Sequence, residues 1–155
     1  MKILFVCLGN ICRSPAAENI MNALIERDHL SHSIQCDSAG TAGYHIGSPP
    51  DKRMSAAAQK RGIPFEGEGR QFTRRDFEQF DLILAMDKSN YKDILRLDPR
   101  SEFGDRVKMI CSYCRKYRDQ EVPDPYYGGE EGFEYVMDLL TDACEGLLQK
   151  LKPQL

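Results

Sequence analysis

Residues 2–7, Lys-Ile-Leu-Phe-Val-Cys, form a short unbroken apolar run that passes through Leu8-Gly9-Asn10-Ile11-Cys12-Arg13 into Ser14-Pro15. A run of this length with no polar alternation has no solvent face. It fits a strand covered on both sides, as in a parallel sheet. Gly9 and Asn10 punctuate a loop, and Ser14-Pro15 opens a helix: Ser is a good N-cap, and Pro at the first helical position gives up nothing. The helix is expected to reach about Arg27, with Ala17, Ile20, Met21, Leu24 and Ile25 on one stripe. The same alternation continues along the chain. Residues 33–38 read as a second strand, 51–61 as a helix stopped by Gly62 and Pro64, and 81–86 as a fully apolar third strand. Residues 88–97 read as a helix ended before Pro99, and 107–111 as a fourth strand. A long loop carries Val122-Pro123-Asp124-Pro125-Tyr126-Tyr127, and Phe133 to Leu151 keep a helical rhythm to the end. Strands alternating with helices predict an α/β fold: three layers, α/β/α, around a four-stranded parallel sheet, with residues 1–155 as a single domain. Right-handed crossovers then bring the strand-to-helix loops to the carboxyl edge of the sheet, where such folds bind ligands.

Composition narrows the partners. The 155 residues carry 21 Lys and Arg against 24 Asp and Glu, a net charge of −3. That balance argues against a dedicated nucleic-acid or membrane-surface binder. No run approaches the ~18 apolar residues of a membrane span, and the first apolar run is too short for a secretory signal. A cytoplasmic location is the expectation, with the six cysteines largely reduced. In that setting cysteine patterns point to catalysis, redox chemistry or metal rather than structural bridges.

The first loop concentrates the chemistry. Backbone N–H groups between a strand end and a helix start make an anion cradle, and Gly9 and Asn10 tolerate the left-handed φ such a cradle demands. Arg13 offers a planar fork for two oxygens of a phosphate-like group. Cys7 faces that positive field, which predicts a lowered pKa and a thiolate aimed at phosphorus. A Cys-x5-Arg-Ser/Thr match is expected only about 0.04 times in a shuffled chain of this composition.

The loop resembles the signature of the low-molecular-weight protein tyrosine phosphatases. The resemblance extends over nearly the whole chain, through Asp37-Ser38-Ala39-Gly40-Thr41, Ala85-Met86-Asp87 and Asp124-Pro125-Tyr126-Tyr127. It implies hydrolysis of phosphotyrosine and small aryl phosphates through a phosphocysteine on Cys7, without metal or other cofactor. Arg13 would grip the phosphoryl oxygens, and Asp124 would serve as general acid and then base. Leu8, Gly9, Asn10, Ile11, Cys12 and Ser14 would form the phosphate-binding loop, with Ser38 as its support. Tyr44, Tyr126 and Tyr127 would wall the substrate pocket. The implied partners are phosphotyrosine-containing proteins, with inorganic phosphate as product and the chain a monomer or weak homodimer. For Cys12 two readings stand: a thiol that pairs with an oxidised Cys7, or a small buried loop side chain.

One departure and several rivals accompany this reading. Members of the family often carry a loop-bracing His where this chain has Gly67 in the stretch Gly67-Glu68-Gly69-Arg70-Gln71. That leaves either a thinner bracing network or a substitute group. His45, beside Tyr44, is placed to touch substrate. Cys111-Ser112-Tyr113-Cys114 lacks the second pair a zinc site needs and reads as two thiols near a strand end. A thiol-dependent arsenate reductase on the same scaffold is the alternative enzyme. A non-catalytic phosphate-binding module would need neither the nucleophile nor the acid.

Overall fold

In the computed structural model, which describes residues 1–117 and 120–155, four parallel strands lie in the order β2-β1-β3-β4. They are β1 (Lys2–Cys7), β2 (Gln35–Gly40), β3 (Leu82–Ala85) and β4 (Val107–Met109). The helices are α1 (Arg13–Arg27), α2 (Lys52–Gln59), α3 (Arg75–Gln79), α4 (Lys88–Arg96) and α5 (Glu130–Leu151). Strand β1 is central, with Ile3 opposite Cys36 on one side and opposite Leu82 on the other. That position explains its unbroken apolar run, because successive side chains alternate between two buried faces. Ile3, Phe5 and Cys7 join the core under α1 and α5. Leu4 and Val6 point the other way, to a smaller core with Phe72, Phe77 and Ile94.

Several boundaries differ from the sequence reading. β2 sits two residues later than expected, because Gly40 pairs with Cys7 and so carries the strand to the level of the first loop. β4 stops at Met109; Ile110–Tyr113 turn into a 3-10 helix closed by Cys114 N–H to the Cys111 carbonyl at 3.1 Å. The Cys-x-x-Cys pair therefore lies in a turn under α5, not on a strand. Helix α1 begins at Arg13, so Ser14 is inside the first turn and does not cap it; Cys12 takes the cap position without a side-chain bond. Helix α2 is capped by Asp51, whose carboxylate accepts the Arg53 and Met54 N–H groups, and α4 is capped by Asp87. The short α3 went unpredicted, since five residues give no periodic signal. Among the described residues no helix is long and apolar enough to cross a membrane.

Candidate active site

The loop after β1 is shaped by what its carbonyls bind. The Cys7, Leu8 and Ile11 carbonyls accept the N–H groups of Thr41, Ala42 and Asp51 at 2.8, 3.0 and 2.8 Å. A trans peptide points its C=O and the next N–H in opposite directions, and no peptide here is cis. The N–H groups of Leu8, Gly9 and Cys12 therefore face away from those partners. The N-terminus of α1 adds its own free N–H groups and the positive end of its dipole. Together these supply the donor set that an anion cradle requires.

Of the two residues expected to adopt a left-handed backbone, only Asn10 does, at φ 58. Gly9 serves otherwise: a Cβ there would stand 3.0 Å from Cδ2 of His45, so glycine lets that ring close on the loop.

Asn10 is the hub under the cradle and is nearly fully buried. Its Nδ2 donates to Ser14 Oγ at 2.8 Å and to Ser38 Oγ at 3.0 Å, while its Oδ1 accepts the Arg70 N–H at 3.0 Å. The Ser38 hydroxyl donates in turn to Glu18 Oε1 at 2.6 Å. The chain has Gly67 where the family often has a His; here the Arg70 N–H and the Glu18 carboxyl bond the Asn10–Ser38 network from below. Burial raises the Glu18 pKa to about 6, helped by Asp37 and opposed by the Ser38 hydrogen bond and Arg70.

Cys7 ends β1 with 2% of its surface exposed. The Asn10 N–H points at its sulfur from 3.3 Å, and the Ser14 hydroxyl lies 3.0 Å away. Arg13 is also buried. Its NH1 donates to Asp87 Oδ2 at 2.6 Å and to the Val122 carbonyl at 3.1 Å. Its NH2 lies 3.7 Å from Asp124 Oδ2. One edge of the guanidinium is thus held by the scaffold, and the other is turned toward the acid loop. Asp124 remains 40% exposed and accepts the Tyr126 N–H at 3.1 Å.

A cleft of about 340 Å³ opens over these groups. Cys7, Leu8, Gly9, Ile11, Cys12 and Arg13 line its floor; Tyr44, His45, Asp124, Tyr126 and Tyr127 line its walls. Every residue expected in the loop or the pocket therefore borders this cleft, except Asn10, Ser14 and Ser38, which support it from below. Tyr44 and Tyr127 are 76% and 93% exposed and stand at the mouth, whereas Tyr126 packs at 5.0 Å against the Tyr127 ring and faces His45. Burial, with Asp51 and Cys7 nearby, holds the Cys12 thiol well above its ordinary pKa. Cys111 and Cys114 lie in the core beneath α5 and take no part in the cleft. Among the described residues no three His, Cys, Asp or Glu side chains converge where a metal ion could be held.

Sequence reasoning gave no role to Glu18, Asp51, Arg53, Arg70 or Asp87. Asp87 and Asp51 had a legible signal, an acidic residue just before a helix. Glu18, Arg53 and Arg70 had none, since the contacts that tie them to the site, to Ser38, the Tyr126 carbonyl and Asn10, span 20 to 73 residues.

Comparison with known proteins bears on what this arrangement serves. The family described as low molecular weight phosphotyrosine protein phosphatase matches residues 2–155. A Synechocystis sp. protein assigned as a low molecular weight protein-tyrosine-phosphatase is 59% identical over 155 residues, covering 100% of this chain and 99% of its own. The human low molecular weight phosphotyrosine protein phosphatase is 40% identical over 150 residues, covering 96% and 94%. Among solved structures, a protein tyrosine phosphatase from Entamoeba histolytica superposes with a TM-score of 0.95 at 46% identity, covering 99% and 98%.

Proposed function

The chain belongs to the low molecular weight phosphotyrosine protein phosphatase family and hydrolyses phosphotyrosine on phosphoproteins, and from that premise we propose how its own residues do so. The phosphoryl group sits in the cradle of loop N–H groups, with the free edge of Arg13 on two of its oxygens. The thiolate is the nucleophilic form of cysteine. Donors from Asn10 and Ser14 stabilise negative charge on the Cys7 sulfur. Sulfur attacks phosphorus as the bond to the phenolic oxygen breaks, and Asp124 gives that oxygen its proton. Tyrosine's phenol has a pKa of about 10, so the leaving group needs the proton. Asp124, now ionised, takes a proton from the water that attacks the phosphocysteine, which releases inorganic phosphate and restores Cys7. Tyr126, Tyr44 and Leu8 provide apolar walls for an aromatic ring, and the depth of the cleft disfavours shorter alkyl phosphates.

One observation carries this reading: Cys7 and Arg13 of the first loop and Asp124, more than a hundred residues further along the chain, converge on a single cleft with the Arg13 guanidinium between sulfur loop and acid loop. The arsenate reductase alternative is not favoured. It needs a relay of thiols, and Cys111 and Cys114 are buried away from the cleft, where the second thiol is Cys12. Cytoplasmic location and a monomeric or weakly dimeric state complete the proposal.

The test pairs two variants. Cys7→Ser is expected to bind a phosphotyrosyl peptide without turning it over, and Asp124→Asn to lose on the order of 10²–10⁴ in rate on phosphotyrosine. Turnover by Cys7→Ser at the wild-type rate would discard the mechanism.

A further inference from the structure

The acid loop is supported at two points. Before Asp124, the Val122 N–H donates to the Met86 carbonyl at 2.9 Å, and the Val122 carbonyl accepts from Arg13. Beyond Asp124, the chain turns at the surface. Among the described residues, the hydrogen bonds of 125–129 are local, such as Gly128 N–H to the Pro125 carbonyl, with one exception. That exception is Arg53, whose NH2 donates to the Tyr126 carbonyl at 2.9 Å.

Arg53 is itself fixed from the other side. Its Nε and NH2 lie 3.3 and 3.2 Å from the Asp51 carboxylate, and its plane sits 5.4 Å over the Tyr126 ring and 4.7 Å over the Phe133 ring. Asp51 in turn caps α2 and donates its N–H to the Ile11 carbonyl of the phosphate loop. The contacts close a circuit. Ile11 holds Asp51, Asp51 holds Arg53, Arg53 holds the Tyr126 peptide, the Tyr126 N–H holds Asp124 Oδ1, and Asp124 faces Arg13 two residues beyond Ile11.

We infer that Arg53 is a positioning residue for the general acid: it ties the peptide that orients Asp124 to the same loop that holds the phosphoryl group. The inference rests on Asp124 being the acid. Arg53 touches no reacting atom. Its effect is to keep the carboxyl at a fixed height above the sulfur, and a planar fork suits the task because it bonds Asp51 and the carbonyl at once while stacking on an aromatic face. Placement of a catalytic group matters steeply, so a loop released at this point loses protonation efficiency without losing the phosphate site.

The consequence is selective. An ester whose phenol is very acidic leaves without help, whereas phenyl phosphate needs the proton. Arg53→Met keeps most of the aliphatic stem and removes the fork. Its kcat/KM on phenyl phosphate should fall roughly tenfold, a part of the 10²–10⁴ that general acid catalysis supplies, while that on dinitrophenyl phosphate should change less than about twofold. In an Asp124→Asn background, Arg53→Met should change neither, since the group it positions is gone. Inhibition by inorganic phosphate should be unaltered. Equal losses on both esters, no loss on either, or a full further loss on top of Asp124→Asn would overturn the inference. If Arg53→Met does not fold, Arg53→Lys carries the same test, because one ammonium cannot reproduce the two-partner fork. Asp124→Asn alone separates the two layers. A selective loss there with none in the Arg53 variants defeats only the positioning role, whereas no selective loss there defeats the acid assignment and this inference with it.

Discussion

Glu18 gives the sharpest test of the loop's foundation, because replacing it should make the protein more stable, and only above a certain pH. Its carboxyl is largely withdrawn from water and accepts the Ser38 proton at 2.6 Å. Burial dominates that hydrogen bond and lifts its pKa from 4.5 to about 6. A raised carboxyl pKa means the folded state holds the proton between those values while the unfolded state releases it. Stability attributable to Glu18 is therefore intact below about pH 4.5 and falls as pH rises through 6. At 1.36 kcal/mol per pH unit, the ionised carboxylate costs about 2 kcal/mol at neutral pH. Glu18→Gln is isosteric and neutral, and its amide oxygen can still accept from Ser38. It should gain about 2 kcal/mol over wild type at pH 7.5, or ~4–8 °C in Tm for a chain of this size. The gain should vanish near pH 4. Urea unfolding of both proteins from pH 4 to 7.5, with the difference plotted, isolates Glu18 from other titrating groups. A difference that stays constant with pH would show that folding leaves the carboxyl pKa unshifted, and a variant less stable than wild type at pH 7.5 would show that Glu18 is needed as an anion; either result refutes the argument from burial.

Other consequences can be checked alongside. Asn10→Ala removes one hydrogen bond each from Ser14, Ser38 and the Arg70 N–H and places alanine at φ 58; a loss of about 3–4 kcal/mol is expected by chemical denaturation, with activity falling more than tenfold. Asp87→Asn keeps a competent α4 cap but leaves Arg13 buried without its closest counter-charge, so the variant should lose about 2 kcal/mol and recover more of it than wild type when saturating phosphate is added to a thermal melt. Mild peroxide should convert Cys7 to the sulfenic acid, and the Cys12 thiol should then displace water to give a Cys7–Cys12 disulfide detectable by peptide mass spectrometry; an oxidised sample in which Cys7 reaches the sulfinic acid with Cys12 free would refute the pairing.

The parts of the site that could be read directly are those whose geometry is set within a few residues. Lys2–Cys7 was legible as a doubly covered strand because the pleat makes every side chain of a central strand apolar. The loop and helix start were legible because Gly-Asn and Ser-Pro restrict their own backbones. Even there the detail shifted: Ser14 was expected to cap α1, but its hydroxyl is drawn to Cys7 and Asn10, and the helix starts two residues earlier than expected. The last strand was read too long for a similar reason, since Ile110 and Cys111 are as apolar as strand residues yet turn into the core under α5. Asp124 shares its Asp-Pro with Asp98; the flanking Val122-Pro123 and Tyr126-Tyr127, together with the resemblance to a family pattern, singled it out.

The sequence alone determined a β-loop-α unit with a cysteine at the strand end and an arginine at the helix start, and with it the class of chemistry. Backbone dihedrals and hydrophobic periodicity act over a few residues, so these features hold whatever the rest of the chain does. Only the tertiary structure decided how the unit is aimed. Glu18, Arg53, Arg70, Asp87 and Asp124 reach the site from α1, α2, a connecting segment, α4 and a late loop. Which of them meet is set by the packing of helices on the sheet, because a charge or hydrogen bond acts only over a few ångströms and carries no trace along the chain of the partner it will find.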